Sequence, residues 1–432
     1  MPTIQLPYGR TTLSLELETA AHVEQILPSH VDAHPNPRVA IEQALTEPVG
    51  LASLRDLAGA RTAAIAINDK TRPVPHEEML PPLLAALEGL GIARDAITLV
   101  IATGTHIPMT PDTFSQVVPP EIEANYHIVS HDFEAPDLVR LGTTPSGTPV
   151  AVNRAFAEAD LRVVVGNVEP HHFAGFSGGV KSAAIGLAGR ETITANHSLL
   201  LNPNAALAVY HQNPLRQDIE AIGKLMDIRL ALNVVMNRKK EIVTAFAGDP
   251  RGVIRAAMPV VRGIYETQVE APFDVMITCP GGYPKDINLY QAHKAVSCAN
   301  RVTKPGGEII LVAACEDGVG SRGYADFMAR GFDSHEAAMA QFVAEPFRIG
   351  AHKAYIFGRD AVKLSRIWIV SDIAPTEVKQ LLLTPADIET AIATAVAPLS
   401  SAARVGIMPY ANATIPNLAR TKHTLPEVAQ AP

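Results

Sequence analysis

The chain has 432 residues, of which 47% are hydrophobic and 19% charged, and its formal net charge at pH 7 is −8. These values are normal for a globular α/β enzyme, and they exclude both a disordered chain and a general basic surface for nucleic acid. Since no apolar stretch reaches the ~18 residues of a membrane span and the three cysteines lack paired spacing, we expect a soluble cytoplasmic protein without nucleic-acid or membrane partners.

The first part of the chain contains short apolar runs that each end in a polar or glycine-containing loop. Runs this apolar are typical of parallel strands covered on both faces. The three runs are residues 63–67 before N-D-K-T-R-P, 97–102 before T-G-T-H, and 161–166 before N-V-E-P-H-H. Residues 76–90 have the apolar spacing of a helix, and the runs at 230–235 and 241–246 around N-R-K-K predict a hairpin that closes this half.

A second, smaller series of strands follows residue 272. Its apolar runs are residues 273–278, 308–313 and 366–370, and the late run at 404–408 could add a strand to either domain. A chain of this length most simply makes two domains. We predict two α/β domains with mostly parallel sheets and an active-site cleft between them: residues 1–272 carry the cofactor site, and residues 273–409 contribute substrate-binding residues. The tail at about 410–432 could return to the first domain, and we expect residues 421–432 to form a loose end.

Unusual polar groups occupy the loops of the first half. In an open α/β sheet, ligands bind beyond the carboxyl ends of the strands, so parallel topology gathers these loops at one edge. Taken singly, a loop histidine is more often solvated or a cap, and Asp69 could cap the next helix and pair with Arg72. The coincidence of all of them indicates a site formed by Asp69, Arg72, His106, His171, His172, Lys181 and His197.

The glycine-rich run from Gly175 to Lys181 resembles a phosphate-binding loop, G-x-x-x-x-G-K-[ST]. Val180 stands where that loop needs a glycine, which weakens the nucleotide triphosphatase interpretation. The alternative is a glycine-rich connection that lets a strand and a helix pack closely. Loop amides beside Lys181 would still suit a monophosphate.

Two further groups leave alternatives open. His171, His172 and His197 could form a metal site by themselves, but their spacing fits no zinc template. Gln291 and Lys294 share a face of a predicted helix that suits a carboxylate, although without the other loops an ordinary polar helix surface is the favoured explanation. His352 and Lys353 either face the cofactor or form an exposed helix end.

Together these residues resemble the nickel-pincer lactate racemase family. The motifs occur in the family's order from about residue 8 to about residue 415, and the combination is highly specific although no single motif is. They are D-K-T-R-P at 69–73, T-G-T-H at 103–106, E-P-H-H-F-A-G-F-S-G-G-V-K at 169–181, N-H at 196–197 and Y-Q-A-H-K at 290–294.

The resemblance implies an isomerase, a racemase or epimerase, that inverts carbon-2 of a 2-hydroxy carboxylate. It implies a nickel-pincer nucleotide cofactor, a pyridinium-3-thioamide-5-thiocarboxylic acid mononucleotide with Ni(II), which cofactor-synthesis proteins supply. By similarity, Lys181 bonds covalently to the cofactor and His197 binds the nickel. The other cofactor-binding residues that it implies are Asp69, Gly175, Ser177, Gly178 and Gly179.

The resemblance also implies roles at the substrate. His106 and His171 are similar to the family's two acid–base groups. We hypothesise that one takes the hydroxyl proton while hydride moves to the cofactor ring, and that the other supplies the proton when hydride returns to the opposite face of the 2-keto acid. The implied substrate-binding residues are Arg72, Gln291 and Lys294, with Tyr290 as a weaker candidate.

Three functions remain open from the sequence. The first is the racemase or epimerase, for which a lactate-like substrate is the simplest case, and a dicarboxylate or sugar acid would use the same mechanism. The second is a P-loop-like kinase or ATPase, which Val180 argues against. The third is a non-catalytic nucleotide or metal carrier, which has no need of the two acid–base groups His106 and His171.

Overall fold

The computed structural model of the chain describes residues 3–419. The strands are β1 (Ile4–Tyr8), β2 (Thr11–Leu15), β3 (His22–Gln25), β4 (Ala63–Asn68), β5 (Ile97–Ala102), β6 (His127–Ser130), β7 (Val139–Thr143), β8 (Pro149–Val152), β9 (Leu161–Asn167), β10 (Pro170–His171), β11 (Gly175–Phe176), β12 (Ile228–Met236), β13 (Ile242–Gly248), β14 (Glu266–Val269), β15 (Phe273–Thr278), β16 (Thr303–Val312), β17 (Arg366–Val370), β18 (Thr384–Pro385), β19 (Arg404–Met408) and β20 (Ile415–Leu418). The helices are α1 (Pro37–Thr46), α2 (His76–Gly89), α3 (Pro120–Glu123), α4 (Arg154–Ala157), α5 (Lys181–Ala184), α6 (Arg190–Ser198), α7 (Pro214–Leu225), α8 (Pro250–Tyr265), α9 (Leu289–Ala299), α10 (Arg322–Met328), α11 (His335–Ala344), α12 (His352–Ala361), α13 (Pro375–Gln380) and α14 (Ile388–Ala395).

The described chain forms two compact units. The N-terminal unit consists of Ser29–Tyr265 together with Phe347–Ile349, and the C-terminal unit contains the rest. Each unit is built around a six-stranded sheet that is mostly or wholly parallel. The predicted α/β class is therefore confirmed.

The sheet of the N-terminal unit has the strand order β13-β12-β9-β4-β5-β6. Only β13 runs against its neighbour, in the predicted hairpin with β12. All six residues of the central strand β4 are buried, which is why this strand lacks the alternation of a half-exposed one. The apolar stripe of α2, which includes Leu80, Leu83 and Leu87, packs into the same core as the strands.

The sheet of the C-terminal unit has the order β18-β17-β16-β15-β19-β3, and all of its pairings are parallel. Its edge strand β3 comes from the beginning of the chain and pairs with β19. The β1–β2 hairpin contributes Leu6 and Leu15 to the core of this unit.

This topology corrects the predicted division at residues 1–272 and 273–409. The chain up to Pro28 belongs to the C-terminal unit, because β3 completes that sheet, and the later boundary falls between Tyr265 and Glu266. The described part of the tail also stays in the C-terminal unit, where β20 pairs with β14. The prediction of a loose end at residues 421–432 lies outside the described residues.

In the described part of the chain, no helix is both long enough and apolar enough to span a membrane.

Two buried histidines of the N-terminal unit make its stability depend on pH. His76 is 3% exposed and its Nδ1 donates to the Val117 carbonyl at 2.7 Å, while His131 is fully buried and its Nε2 donates to the Ala188 carbonyl at 3.1 Å. Burial lowers the pKa of each ring from 6.5 to about 4, although the hydrogen bond opposes this shift.

We expect the free energy of unfolding to fall as the pH drops from about 6.5 to about 4. In this window the unfolded chain binds protons at His76 and His131 that the folded protein does not, so acid favours unfolding, by about 3 kcal/mol for each ring. Urea denaturation at pH 7, 5.5 and 4.5 measures the effect. The His76→Asn variant, which keeps a donor but cannot titrate, should show a shallower dependence, and equal slopes would contradict the prediction.

Candidate active site

Three loops with candidate residues follow neighbouring strands of the N-terminal unit. Strand β4 pairs in parallel with both β5 and β9, so the carboxyl ends of all three lie at one edge of the sheet. Asp69 directly follows β4, while His106 and His171 lie just beyond β5 and β9. The topology therefore brings these three residues to the same edge, as the sequence pattern indicated.

Asp69 and His106 form a hydrogen-bonded pair. Nδ1 of His106 lies 2.7 Å from Oδ2 of Asp69, and the Thr71 hydroxyl donates to Oδ1 of Asp69, also at 2.7 Å. The Asp69 side chain is 3% exposed and that of His106 is 33% exposed. Burial alone would raise the pKa of Asp69, but the hydrogen bonds from His106 and Thr71 and the charge of Arg72 hold it below its ordinary value. Asp69 is thus ionised at neutral pH.

The carboxylate decides which nitrogen of the neutral His106 ring carries the proton. Because Asp69 can only accept, Nδ1 of His106 donates to it, and Nε2 keeps its lone pair. An imidazole oriented in this way by a buried carboxylate is the arrangement of a general base. Asp69 does not cap the next helix, because α2 starts without a side-chain cap.

His171 has the opposite tautomer. The backbone N–H of Ala174 donates to its Nδ1 at 3.2 Å, so the neutral ring carries its proton on Nε2. The Nε2 atom of His106 is therefore a proton acceptor, and that of His171 is a proton donor.

Phe173 contacts three histidine rings and so joins them into one cluster. Its ring meets those of His171, His172 and His197 edge-on, with centroid distances of 4.7, 4.3 and 5.3 Å. Phe173 itself is buried. Residues that are separated in sequence, His171 and His197, thus contact the same side chain.

Lys181 and Arg72 act electrostatically on His197. Burial, followed by the positive charges of Lys181 and Arg72, lowers the pKa of His197 to about 3. The ring is neutral at physiological pH, which is the form that binds a metal ion. A hydrogen bond to the Ile193 backbone, one turn earlier on α6, opposes this shift of the pKa, and Nδ1 of the ring is buried. These properties fit the role of a metal ligand.

The glycine-rich loop before Lys181 has a backbone that only glycine permits. Gly175 and Gly178 have φ angles of +75° and +78°. A Cβ atom at Gly175 would collide with the Val209 carbonyl oxygen, and one at Gly178 would lie 2.7 Å from the Val168 side chain. The loop shape is therefore encoded by these two glycines.

A buried arginine fixes the carbonyl groups of this loop. Arg216 is fully buried, and its guanidinium donates to the carbonyls of Phe176 and Gly178 at 2.9 and 3.1 Å. The same guanidinium pairs with Glu220 at 2.7 Å. The loop is thus anchored to α7, which carries both charged residues.

Four amides of the run from Gly175 to Lys181 are bonded within the protein, those of Phe176, Ser177, Gly179 and Lys181. The amide of Gly179 donates to Oδ1 of Asn233 at 2.7 Å, and the amide of Ser177 donates to the Glu169 carbonyl at 2.8 Å. The expected phosphate contacts of the loop must therefore come from its other amides or from side chains.

Val180 has a packing role that separates this loop from a nucleotide triphosphatase loop. It is buried against Gly223 of α7, where any Cβ would clash with the valine. The helix that begins at Lys181 contains only four residues. The geometry gives no support to the P-loop alternative, which requires a glycine at this position.

The alternative of a metal site built from His171, His172 and His197 alone is not realised. Within residues 3–419, no group of three or more His, Cys, Asp or Glu side chains is arranged to hold a metal ion.

The other candidate residues lie on α9 of the C-terminal unit. The Asn288 side chain caps this helix by accepting from the amide of Gln291 at 3.0 Å. The Lys294 ammonium donates to Oε1 of Gln291 at 2.7 Å, so these two residues share a helix face, as predicted. The alternative that His352 and Lys353 form an exposed helix end is wrong, because each is 1% exposed.

Sequence reasoning missed the residues that hold the site in place, namely Thr71, Phe173, Arg216 and Asn233. Asn233 had a usable signal, since it is a polar residue inside the apolar run of β12. Arg216 and Glu220 are four residues apart on a helix, the spacing of an ion pair, but nothing local indicates that the pair is buried.

Two family models match this chain. The model of the lactate racemase N-terminal domain covers residues 8–208, and that of the lactate racemase C-terminal domain covers residues 268–415.

Relatives and a solved structure agree with these models. The chain is 35% identical over 331 residues to a lactate racemase of Thermoanaerobacterium thermosaccharolyticum and 33% identical over 331 residues to one of Lactiplantibacillus plantarum, in each case covering 75% of this chain and 77% of the relative. The structure of the lactate racemase apoprotein from T. thermosaccharolyticum superposes with a TM-score of 0.89 at 30% identity, covering 96% of this chain and all of that one.

Proposed function

The chain belongs to the lactate racemase family and is an isomerase, and we propose that it interconverts the two configurations at carbon-2 of a lactate-like 2-hydroxy acid. The observation that carries the proposal is the pair of histidines at one sheet edge, His106 as a proton acceptor and His171 as a proton donor. A reaction that removes a hydroxyl proton and later returns it uses an acceptor for that proton and a donor that stabilises the charged oxygen. A carrier protein does not.

His106 takes the hydroxyl proton at Nε2 in this proposal. The imidazolium that forms keeps its Nδ1–H bond to Asp69, and the buried carboxylate stabilises the new positive charge. His171 donates a hydrogen bond from its Nε2–H to the substrate oxygen and stabilises the negative charge there. The proton that returns to this oxygen comes from the imidazolium of His106. For the opposite enantiomer, His171 acts as the base only after its proton has moved from Nε2 to Nδ1, which breaks the bond from the Ala174 N–H.

The substrate carboxylate is held by cations and an amide. Arg72 is exposed beside the Asp69–His106 pair, and its planar guanidinium suits bidentate binding of a carboxylate. Gln291 and Lys294 present an amide and an ammonium group on one face of α9. Tyr290, the preceding residue, is the weaker candidate for a substrate contact.

The residues near His197 fit the cofactor that the family resemblance implies. Lys181 would carry the nickel-pincer nucleotide covalently, His197 would be the protein ligand of Ni(II), and the Gly175–Gly179 loop with Asp69 would border the cofactor. When bound, the cofactor supplies a reversible acceptor for the hydrogen of carbon-2. The neutral ring of His197 and its buried Nδ1 support this assignment. Loading would depend on cofactor-synthesis proteins.

Racemisation in D₂O tests the proposal. Protein produced together with the cofactor-synthesis proteins should convert L-lactate to D-lactate, and the product should contain no deuterium at carbon-2. The Lys181→Ala variant is the control and should show neither turnover nor the mass of a covalent adduct. Rapid incorporation of deuterium, or turnover by the Lys181→Ala variant, would reject the mechanism.

A further inference from the structure

Two buried asparagines lie in the sheet of the N-terminal unit, near the edge where the candidate catalytic loops begin. Asn68 ends β4 and is 7% exposed, and Asn233 of β12 is fully buried. Gly166 of the intervening strand β9 pairs with Asn233 in the β12–β9 ladder. A buried amide side chain is costly unless it is hydrogen-bonded, so the partners of the two asparagines indicate what they do.

Asn68 holds the backbone of Arg72. Its Nδ2 atom donates to the Arg72 carbonyl at 3.0 Å, and the Arg72 amide donates to the Asp69 carbonyl at 3.1 Å. The Asp69 carboxylate is held separately, because its Oδ1 accepts from the amide and the hydroxyl of Thr71 at 3.2 and 2.7 Å. Asn68 therefore fixes Arg72 more than it fixes the orientation of Asp69.

Asn233 holds the loop that leads to Lys181. Its Oδ1 atom accepts from the Gly179 amide at 2.7 Å, and its Nδ2 atom donates to the Leu232 carbonyl at 2.9 Å. Gly178 lies equally close, since a Cβ atom there would be 3.0 Å from Oδ1 of Asn233. Because Gly179 is two residues before Lys181, this bond fixes the position from which the lysine side chain leaves the loop.

The short helix α5, which begins at Lys181, packs over both asparagines. It contacts β4 and β9. A Cβ atom at Gly166 would lie 3.0 Å from Oγ of Ser182, 3.3 Å from Oδ1 of Asn68 and 3.8 Å from Nδ2 of Asn233. The absence of a side chain at Gly166 therefore lets α5 approach the sheet, and it brings the three polar side chains around one point.

We propose that Asn68 and Asn233 are positioning residues that fix the distance between the substrate-binding Arg72 and the cofactor-binding Lys181. The inference rests on the proposed function, in which Arg72 holds the substrate carboxylate and Lys181 carries the cofactor. Such a reaction requires the two groups to be held to within about 0.5 Å of the productive geometry. Both amides project from strands of one sheet, so the sheet sets the distance and the loops follow it.

The competing explanation is that the two asparagines only stabilise this edge of the sheet. Their replacement would then lower the stability but change neither substrate binding nor cofactor attachment in the folded protein. Asn237 offers a matched comparison in the same unit. It is 5% exposed, and its Nδ2 atom also donates to a backbone carbonyl, that of Val31 at 3.1 Å.

Alanine variants produced together with the cofactor-synthesis proteins test the proposal through lactate kinetics and intact mass. Asn68→Ala should raise KM for lactate about 3- to 10-fold, with kcat within about twofold of the wild type and the adduct at Lys181 retained. Asn233→Ala should lower the fraction of protein with the adduct by about threefold or more, with KM of the loaded fraction unchanged. Asn237→Ala is the control and should lower only the stability in urea.

Gly166→Ala gives a result even if an asparagine variant does not fold. It removes no hydrogen-bonding group, but its methyl group displaces Ser182 and Asn68, so we expect a higher KM together with less adduct. Wild-type KM and adduct in this variant would overturn the proposal. So would a folded Asn68→Ala with the wild-type KM, a folded Asn233→Ala with the wild-type adduct fraction, or an Asn237→Ala variant that changes either quantity.

The proposed function and the positioning roles can fail separately. Racemisation by the wild type together with unchanged asparagine variants would reject the positioning roles alone. A wild type that carries the adduct but does not racemise lactate would refute the proposed function. The adduct fraction of Asn233→Ala and the lactate affinity of Asn68→Ala, measured by isothermal titration calorimetry, would then still decide the positioning roles.

Discussion

Replacement of His106 by alanine is expected to lower kcat/KM for racemisation by about 10²- to 10⁴-fold in both directions. The variant loses the Nε2 lone pair that accepts the hydroxyl proton. It keeps Asp69, whose carboxylate still accepts from Thr71, so the fold should persist. Polarimetry with each enantiomer measures the rates, and intact mass reports whether the adduct at Lys181 is retained.

Two further variants test whether the effect is specific to the base at His106. Asp69→Asn should be comparably damaging, because its amide can donate to Nδ1 and shift the proton of His106 to Nε2, which removes the acceptor. His127→Ala is the matched control, since His127 is an exposed histidine at the start of β6 in the same sheet, and it should retain full activity. Activity of His106→Ala within about threefold of the wild type would contradict the assignment.

Replacement of Arg216 by methionine is expected to cost about 3–5 kcal/mol of folding stability, because the buried Glu220 carboxylate loses its cationic partner and keeps the neutral Tyr210 hydroxyl. The carbonyls of Phe176 and Gly178 also lose their donors. We therefore expect reduced attachment of the cofactor to Lys181 in addition to the lower stability. Urea denaturation and intact mass measure the two effects.

A double variant separates stability from loop geometry. Arg216→Met combined with Glu220→Leu removes both buried charges, and such replacements are often neutral for stability. We expect the double variant to recover most of the lost stability while cofactor attachment stays low, because the loop carbonyls still lack the guanidinium. Full recovery of attachment in the double variant would show that Arg216 does not shape the loop.

Nine of the twelve strands in the two six-stranded sheets could be predicted from the sequence, and β3, β6 and β18 were missed. The predicted runs at 97–102, 273–278, 366–370 and 404–408 coincide with β5, β15, β17 and β19. Parallel strands that are covered on both faces appear as uninterrupted apolar runs, and this signal is local. The predicted beginning of α2 at His76 is also confirmed.

The assignment of the first 28 residues to a domain was not predictable in the same way. Strand β3 pairs with β19 across most of the length of the chain, and no local pattern in residues 22–25 distinguishes one sheet edge from another. Buried ion pairs are equally hard to predict from local sequence. Arg216 and Glu220 appear as an ordinary surface ion pair until the packing of α7 shows that both are enclosed.

The sequence by itself determined the alternation of strands and helices, the order of the family motifs and the glycines that shape the loop before Lys181, because apolar periodicity and left-handed backbone are properties of short segments. Only the tertiary structure decided which ring nitrogen of each histidine carries the proton and which groups compensate each buried charge. Those properties depend on contacts between residues far apart in the chain, such as Asp69 with His106 and Lys353 with His293.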